Sequence, residues 1–231
     1  MRDRLLRGLP ELSLTLSEEQ IGCLCRFGEL LLEKNQVMNL TAIREPDKVA
    51  SLHFLDCLAL LNAAEMKNKS LVDVGCGAGF PGVPLKIAEP SLQLTLLDSL
   101  GKRMTWLREE ALPAIGLEAD CVTARAEDFA REHREAFDLA SSRAVARLNI
   151  LAELCLPLVK KGGLFLAMKG QLANEELEEA GSAIQVLGGK LENVYAYPCE
   201  GAIHKVIVIR KISSTPAAYP RSFGKIKKQP L

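Results

Sequence analysis

The stretch Leu71-Val-Asp-Val-Gly-Cys-Gly-Ala-Gly-Phe-Pro-Gly82 decides the fold. A short apolar run breaks into glycines and resumes over 83–88 as helix-compatible sequence, the pattern of a nucleotide-binding strand, loop and helix. Asp73 stands at the strand end, and Gly75, Gly77 and Gly79 lack the Cβ atoms that would hold a ligand's polar groups away from the backbone. A second apolar run, Leu92-Gln-Leu-Thr-Leu-Leu-Asp98, ends about twenty residues later in a carboxylate placed to accept hydrogen bonds from both hydroxyls of a ribose. Strand, loop, helix, strand and terminal acid in that order point to an adenosine-like cofactor. A glycine turn serving only chain reversal would leave Asp98 unexplained.

The loop decides which cofactor. A dinucleotide fingerprint wants glycine or alanine three positions after its second glycine, and Phe80 stands there. Asp73 just ahead of Gly75-x-Gly77-x-Gly79 instead resembles the first motif of Rossmann-like S-adenosylmethionine (SAM) methyltransferases, whose ligand has an amino-acid end and no phosphate.

Outward from this motif, the chain alternates. Strands are expected at 71–74, 92–97, 119–123, 137–141 and 163–168, with helices near 83–88, 101–112, 127–134 and 148–159 between them, which implies a parallel sheet with right-handed crossovers. A helix over 173–187 then leads to two β-rich runs, 190–197 and 205–211, read as a hairpin about Gly201. The fold class is therefore α/β: a mostly parallel seven-stranded sheet that ends in an antiparallel hairpin. The first sixty-odd residues read as helices. Ser17 and Gln20 form a capping box ahead of a stripe of Ile21, Leu24, Leu31 and Leu32. The expected division is a helical extension at 1–66, the SAM-binding domain at 67–212 and a basic tail at 213–231 without core-building periodicity.

The 231 residues, 48% of them apolar, suffice for one substantial core. No apolar run approaches the roughly eighteen residues a membrane helix needs, and a signal-peptide core is missing, so a cytoplasmic protein is expected; it is expected to be a monomer. Seven scattered cysteines fit neither a disulfide framework nor paired zinc spacing and read as reduced; three histidines give no metal pattern. Lys plus Arg equals Asp plus Glu at 29 each, so net charge says nothing of nucleic acid. Local clusters do: Lys102-Arg103 with Arg108, Arg143 with Arg147, Lys160-Lys161, and Arg221, Lys225, Lys227 and Lys228 in the tail. Gathered on one face they would make a phosphate footprint; each alone reads as ordinary solvated charge.

Several blocks together resemble the RsmG (GidB) family, bacterial methyltransferases of 16S small-subunit ribosomal RNA acting on guanine N7. They are Asn39-Leu-Thr-Ala-Ile43, His53-Phe-Leu-Asp56, the glycine loop through Leu85, Leu97-Asp-Ser-Leu-Gly-Lys-Arg103, Ser142-Arg-Ala144, Lys169-Gly170 and Tyr219-Pro-Arg221. The block 97–103 is far more specific than any glycine loop. The resemblance implies SAM as cofactor, with Gly75 and Phe80 at its methionine end, Asp98, Ser99 and Leu100 at ribose and adenine, and Ala126 and Glu127 at adenine. Arg143 would stand at the methyl-transfer end as the catalytic residue, while Lys102, Arg103, Lys169 and Arg221 would meet RNA, within the assembled small subunit and without a metal. Cys76 and Phe80 depart from the expected Thr or Ser and Leu but leave the loop's backbone role intact. The stretch 198–204, a hairpin turn, does not align with the family, and no function is carried over to it.

The residues also bear on mechanism. Enzymes that methylate exocyclic amines often carry an Asp/Asn-Pro-Pro-aromatic motif after the fourth strand, where this chain has Ser141-Ser-Arg-Ala144. Guanine N7 offers a lone pair and requires no general base, so alignment and desolvation can carry catalysis. His53 and Asp56, three apart on a helix, face the same side and could touch substrate or hold the helical extension against the glycine loop, the structural reading being favoured. Phe80, Trp106 and Tyr219 are candidate RNA contacts, Trp106 equally a core residue. A small-molecule or protein methyltransferase, or a SAM-binding regulator without turnover, are the competing functions.

Overall fold

The computed structural model describes residues 1–143 and 145–231. Two helices open the chain, α1 (Arg2–Glu11) and α2 (Glu18–Met38). The expected capping box starts α2: Ser17 Oγ accepts from the Gln20 amide at 3.2 Å and the Gln20 side chain accepts from the Ser17 amide at 2.8 Å, satisfying two N–H groups that a helix start leaves open. Ile21, Leu24, Phe27 and Leu31, spaced three and four apart, form its buried face. The helix ends at Met38, capped by Asn39 in the left-handed conformation. A composite helix follows, α3 (Pro46–Val49), a π-helical turn (Ala50–Leu55), α4 (Asp56–Leu58) and a 3-10 turn (Ala59–Asn62).

The alternating region then runs β1 (Ser70–Val74), α5 (Gly82–Ala88), β2 (Gln93–Asp98), α6 (Gly101–Trp106), a π-helical turn (Leu107–Ala111), α7 (Leu112–Ala114), β3 (Asp120–Thr123), α8 (Ala126–Glu132), β4 (Phe137–Arg143), α9 (Leu148–Cys155) and β5 (Val159–Lys169). After α10 (Ala173–Glu179) and α11 (Gly181–Val186), β6 (Gly189–Cys199) and β7 (Ala202–Lys211) form the hairpin, longer by a few residues than the apolar pattern marks. The seven strands lie in the order β3-β2-β1-β4-β5-β7-β6, the first five parallel and β7 antiparallel to both neighbours. Chain direction across the sheet reverses at β1, between β2 and β4, and it is there that the carboxyl ends of an open α/β sheet leave a crevice.

Strand side chains alternate between two cores. Leu166, Met168, Val206 and Val208 join one cluster with Leu5, Leu24, Phe27 and Phe54 of the N-terminal helices. Phe165, Ala167, Ile207 and Ile209 join the other with residues of α9 and α11. The N-terminal helices thus share a core with the sheet.

The final segment departs from the expectation of a tail without core structure. It forms α12 (Phe223–Lys228), whose Ile226 is fully buried in the second cluster. A single buried residue sets no period, so the sequence pattern could not reveal it. Glu135 accepts from the Thr215 amide, and Arg134 donates to the carbonyls of Thr215, Pro216 and Tyr219.

Candidate active site

The loops after β1 to β4 surround a cavity of about 510 Å³. Gly75, Gly77 and Phe80 line it after β1, Asp98, Ser99, Leu100 and Arg103 after β2, Ala126 and Glu127 after β3, and Arg143 and Val145 after β4; Thr41, His53 and Phe223 close it from the two chain ends. Gly75 has φ +70°, and a Cβ there would stand 2.4 Å from Val145 Cγ2, so both conformation and space require glycine. Asp98 ties two loops together, one carboxylate oxygen accepting from the Gly77 amide at 2.9 Å and the other from the Leu100 amide at 2.8 Å. Each oxygen keeps a further lone pair for a ligand hydroxyl.

Two loop residues expected at the ligand lie elsewhere. Asp73 is fully buried behind the loop, where its carboxylate accepts from the Gly82 amide at 2.8 Å and from the Ser141 hydroxyl at 3.0 Å. Burial raises its pKa to about 7 against those two bonds. Asp73 therefore pins the start of α5 to β4 and shapes the loop from beneath. Gly79 is buried too, where a Cβ would press on Val83 and Leu107. The glycine of close helix–sheet packing is Gly82, whose Cβ would meet Leu96 and Leu94 within 3 Å.

Arg143 is the centre of a linked set. Its guanidinium donates to the Leu52 carbonyl at 3.0 Å, to Asp56 at 3.3 Å and to His53 Nδ1 at 3.1 Å, and its Cζ lies 4.9 Å above the Phe80 ring. His53 stacks on the same ring, centroids 4.6 Å apart. Because arginine can only donate, Nδ1 of His53 accepts, which places the histidine proton on Nε2, 2.9 Å from Thr41 Oγ1. Burial and then the Arg143 charge push the His53 pKa down to about 4, consistent with that neutral ring. Asp56 also accepts from Tyr197 at 2.8 Å and pairs with His204 at 2.7 Å. Burial pushes Asp56 up, but the His204 bond, the Arg143 charge and the Tyr197 bond outweigh it and hold the carboxyl below its ordinary value. The same bond raises His204.

His53 and Asp56, expected to hold the helical extension against the glycine loop rather than to touch substrate, both bond Arg143, and His53 stacks on Phe80 of that loop. Sequence reasoning missed Tyr197, His204 and Phe223. No local spacing links His204 to a carboxylate 148 positions away. Asp56, Cys199 and His204 form the one trio of possible metal ligands among the described residues, and there an ion would compete with the Arg143 guanidinium for Asp56.

The expected RNA contacts divide. Arg103 reaches the cavity, 3.9 Å from Asp98, and Lys102 is exposed beside it. Lys169 is instead buried, donating to the Ala146 carbonyl and paired with Glu176 at 2.7 Å. Arg221 grips the fully buried Glu153, at 2.6 Å, rather than a phosphate: an unpaired buried carboxylate would be costly, and Arg221 is its partner. Arg147 pairs with Glu175 and Glu179, and Lys160 with Asp138 at the opposite ends of the strands. Trp106 is buried against Phe27, and Ala144 of the Ser142-Arg-Ala144 block lies outside the described residues.

The profile of a known family, GidB, described as rRNA small subunit methyltransferase G, matches residues 20–203. The chain belongs to that family. A ribosomal RNA small subunit methyltransferase G of Alkaliphilus oremlandii is 45% identical over 100% of this chain and 99% of its own length. One of Clostridium botulinum is 41% identical over 96% and 95%. Among solved structures, the antibiotic-resistance methyltransferase Kmr superposes with a TM-score of 0.53 at 18% identity over 69% of this chain and 94% of that one. TrmN from Thermus thermophilus gives 0.53 at 21% over 68% and 48%. At such identities they support the fold alone, a Rossmann-like methyltransferase fold. Membership of the family implies a methyl donor of the SAM type. The site fits one: a glycine cradle that a Cβ would fill at Gly75, a carboxylate with free lone pairs at Asp98, and a cavity of sufficient size.

Proposed function

We propose that the chain transfers a methyl group from SAM to N7 of a guanine in 16S ribosomal RNA within the small subunit. Family membership supports the RNA substrate, and the cavity supports the cofactor. In this reading Gly75, Gly77 and Phe80 hold the methionine end, Asp98, Ser99 and Leu100 the ribose and adenine, and Ala126 and Glu127 the adenine. SAM supplies an electrophilic sulfonium methyl.

The observation that carries the choice of N7 is the state of the groups around Arg143. His53 is neutral, but its Nδ1 lone pair is taken by Arg143 and its Nε2 carries a proton facing Thr41. Asp56 lies under Arg143, bound to Tyr197 and His204, and Asp73 is sealed behind the loop. Among the described residues no proton acceptor stands free beside Arg143. That favours a nucleophile with a ready lone pair, which guanine N7 is, over an exocyclic amine that must lose a proton. Arg143, fixed by three partners and the Phe80 face, orients the base through O6 or an adjoining phosphate.

The test is transfer of labelled methyl from SAM to small ribosomal subunits that lack the modification. Incorporation into the RNA is expected. Labelling of protein or of a small molecule instead, or SAM binding without turnover, would overturn the proposal.

A further inference from the structure

Phe223 lines the cavity from the C-terminal segment, outside the glycine loop and the strand ends. It lines the cavity with Ala124, Ala126 and Glu127, although it lies twenty positions beyond the end of the residues that match the family profile. Its position is built. The Arg221 amide donates to Glu153 Oε1 at 2.8 Å while the guanidinium holds both carboxylate oxygens, and Glu153 is a fully buried residue of α9. Two residues on, the Phe223 amide donates to Glu127 Oε1 at 3.2 Å. Three residues further, Ile226 is fully buried against the second core. The ring is thereby fixed from both sides yet only partly buried.

We infer that Phe223 is a cofactor-binding residue: it forms the outer wall of the adenine end, and its amide holds Glu127 so that the other carboxylate oxygen can accept the adenine amine. A flat apolar ring at a cavity mouth is the side chain that stacks on a base, and stacking is insensitive to the base's polar edge. Glu127 supplies the edge recognition. Among the described residues no donor reaches its Oε2, the oxygen left to the ligand. Charge sign fits as well, since a carboxylate accepts from the amine of adenine but repels the carbonyl that hypoxanthine carries in its place.

The inference rests on the reading of this cavity as a SAM site, and calorimetry separates the two. S-Adenosylhomocysteine and its inosine counterpart are titrated into the full-length wild type and the variants Phe223→Ala, Phe223→Leu, Phe223→Tyr and Glu127→Gln, with thermal melting as a check on folding. Failure of the wild type to bind S-adenosylhomocysteine would remove the SAM reading itself. If the wild type binds, Phe223→Leu, which keeps the apolar bulk, should weaken the adenosine ligand about tenfold, Phe223→Ala at least as much, and Phe223→Tyr should restore it, all without a matching loss of thermal stability. Wild type should prefer the adenosine ligand, and Glu127→Gln, able to donate, should reduce or reverse that preference. Undiminished affinity in a folded Phe223→Leu variant, or equal binding of the two ligands by the wild type, overturns the inference.

Discussion

At the scale of single residues, the site depends on carboxylates with different duties. Asp98 faces the cavity and braces Gly77 and Leu100. Replacing it with Ala should remove charge-assisted bonds worth about 1.5–3 kcal/mol and weaken SAM on the order of ten- to a hundredfold by calorimetry. Asp73, sealed beneath the loop, accepts from two donors at once. In Asp73→Asn one oxygen becomes an amide nitrogen that cannot accept, so either Gly82 or Ser141 loses its partner. A stability loss of about 1–3 kcal/mol is expected in denaturant unfolding, against a much smaller change for the exposed Asp128→Asn. The motif made the first duty legible, because an acid ending the second strand of such a sheet is the usual acceptor for a ribose. The second was hidden, since burial of Asp73 depends on β4 lying alongside β1.

At the scale of elements, the composite helix 46–62 and the β6–β7 hairpin meet through Asp56, and Arg143 reaches them from β4. The two histidines there should titrate oppositely. His53 is depressed to about 4, so the stability it contributes is complete above its unfolded value of 6.5 and is lost as pH falls through about 4; full protonation would cost about 3 kcal/mol. His204 is raised, so its contribution is complete below 6.5 and is lost as pH climbs through its folded value. Histidine-ring NMR should find His53 neutral with its proton on Nε2 at pH 6, and His204 still protonated above pH 6.5. A His53 resonance that titrates near 6.5 would dissolve the Arg143 arrangement. The helix over 53–56 and the hairpin were each legible from apolar spacing. Their meeting was not, because contacts across nearly 150 positions leave no local pattern.

At the scale of the whole molecule, the closing segment changes the sense of the terminal charges. Arg221 belongs to Glu153 and the interior, while Lys225, Lys227 and Lys228 remain exposed. Truncation after Ile212 should therefore lower the melting temperature, because it strands Glu153 as a buried unpaired carboxylate and uncovers the core around Ile226. An unchanged melting curve would return the segment to the status of a loose tail. The alternating strands, the hairpin and the glycine loop were readable because each rests on local periodicity or turn chemistry. The terminal segment was not, for its hold on the sheet runs through Arg134, Arg221 and one isoleucine. In this reading the site places a methyl group on a ring nitrogen without a general base. Mass spectrometry of nucleosides from small-subunit RNA methylated by this chain tests it most directly. The methyl is predicted on guanine N7; its recovery on an exocyclic amine or a ribose oxygen would contradict the account.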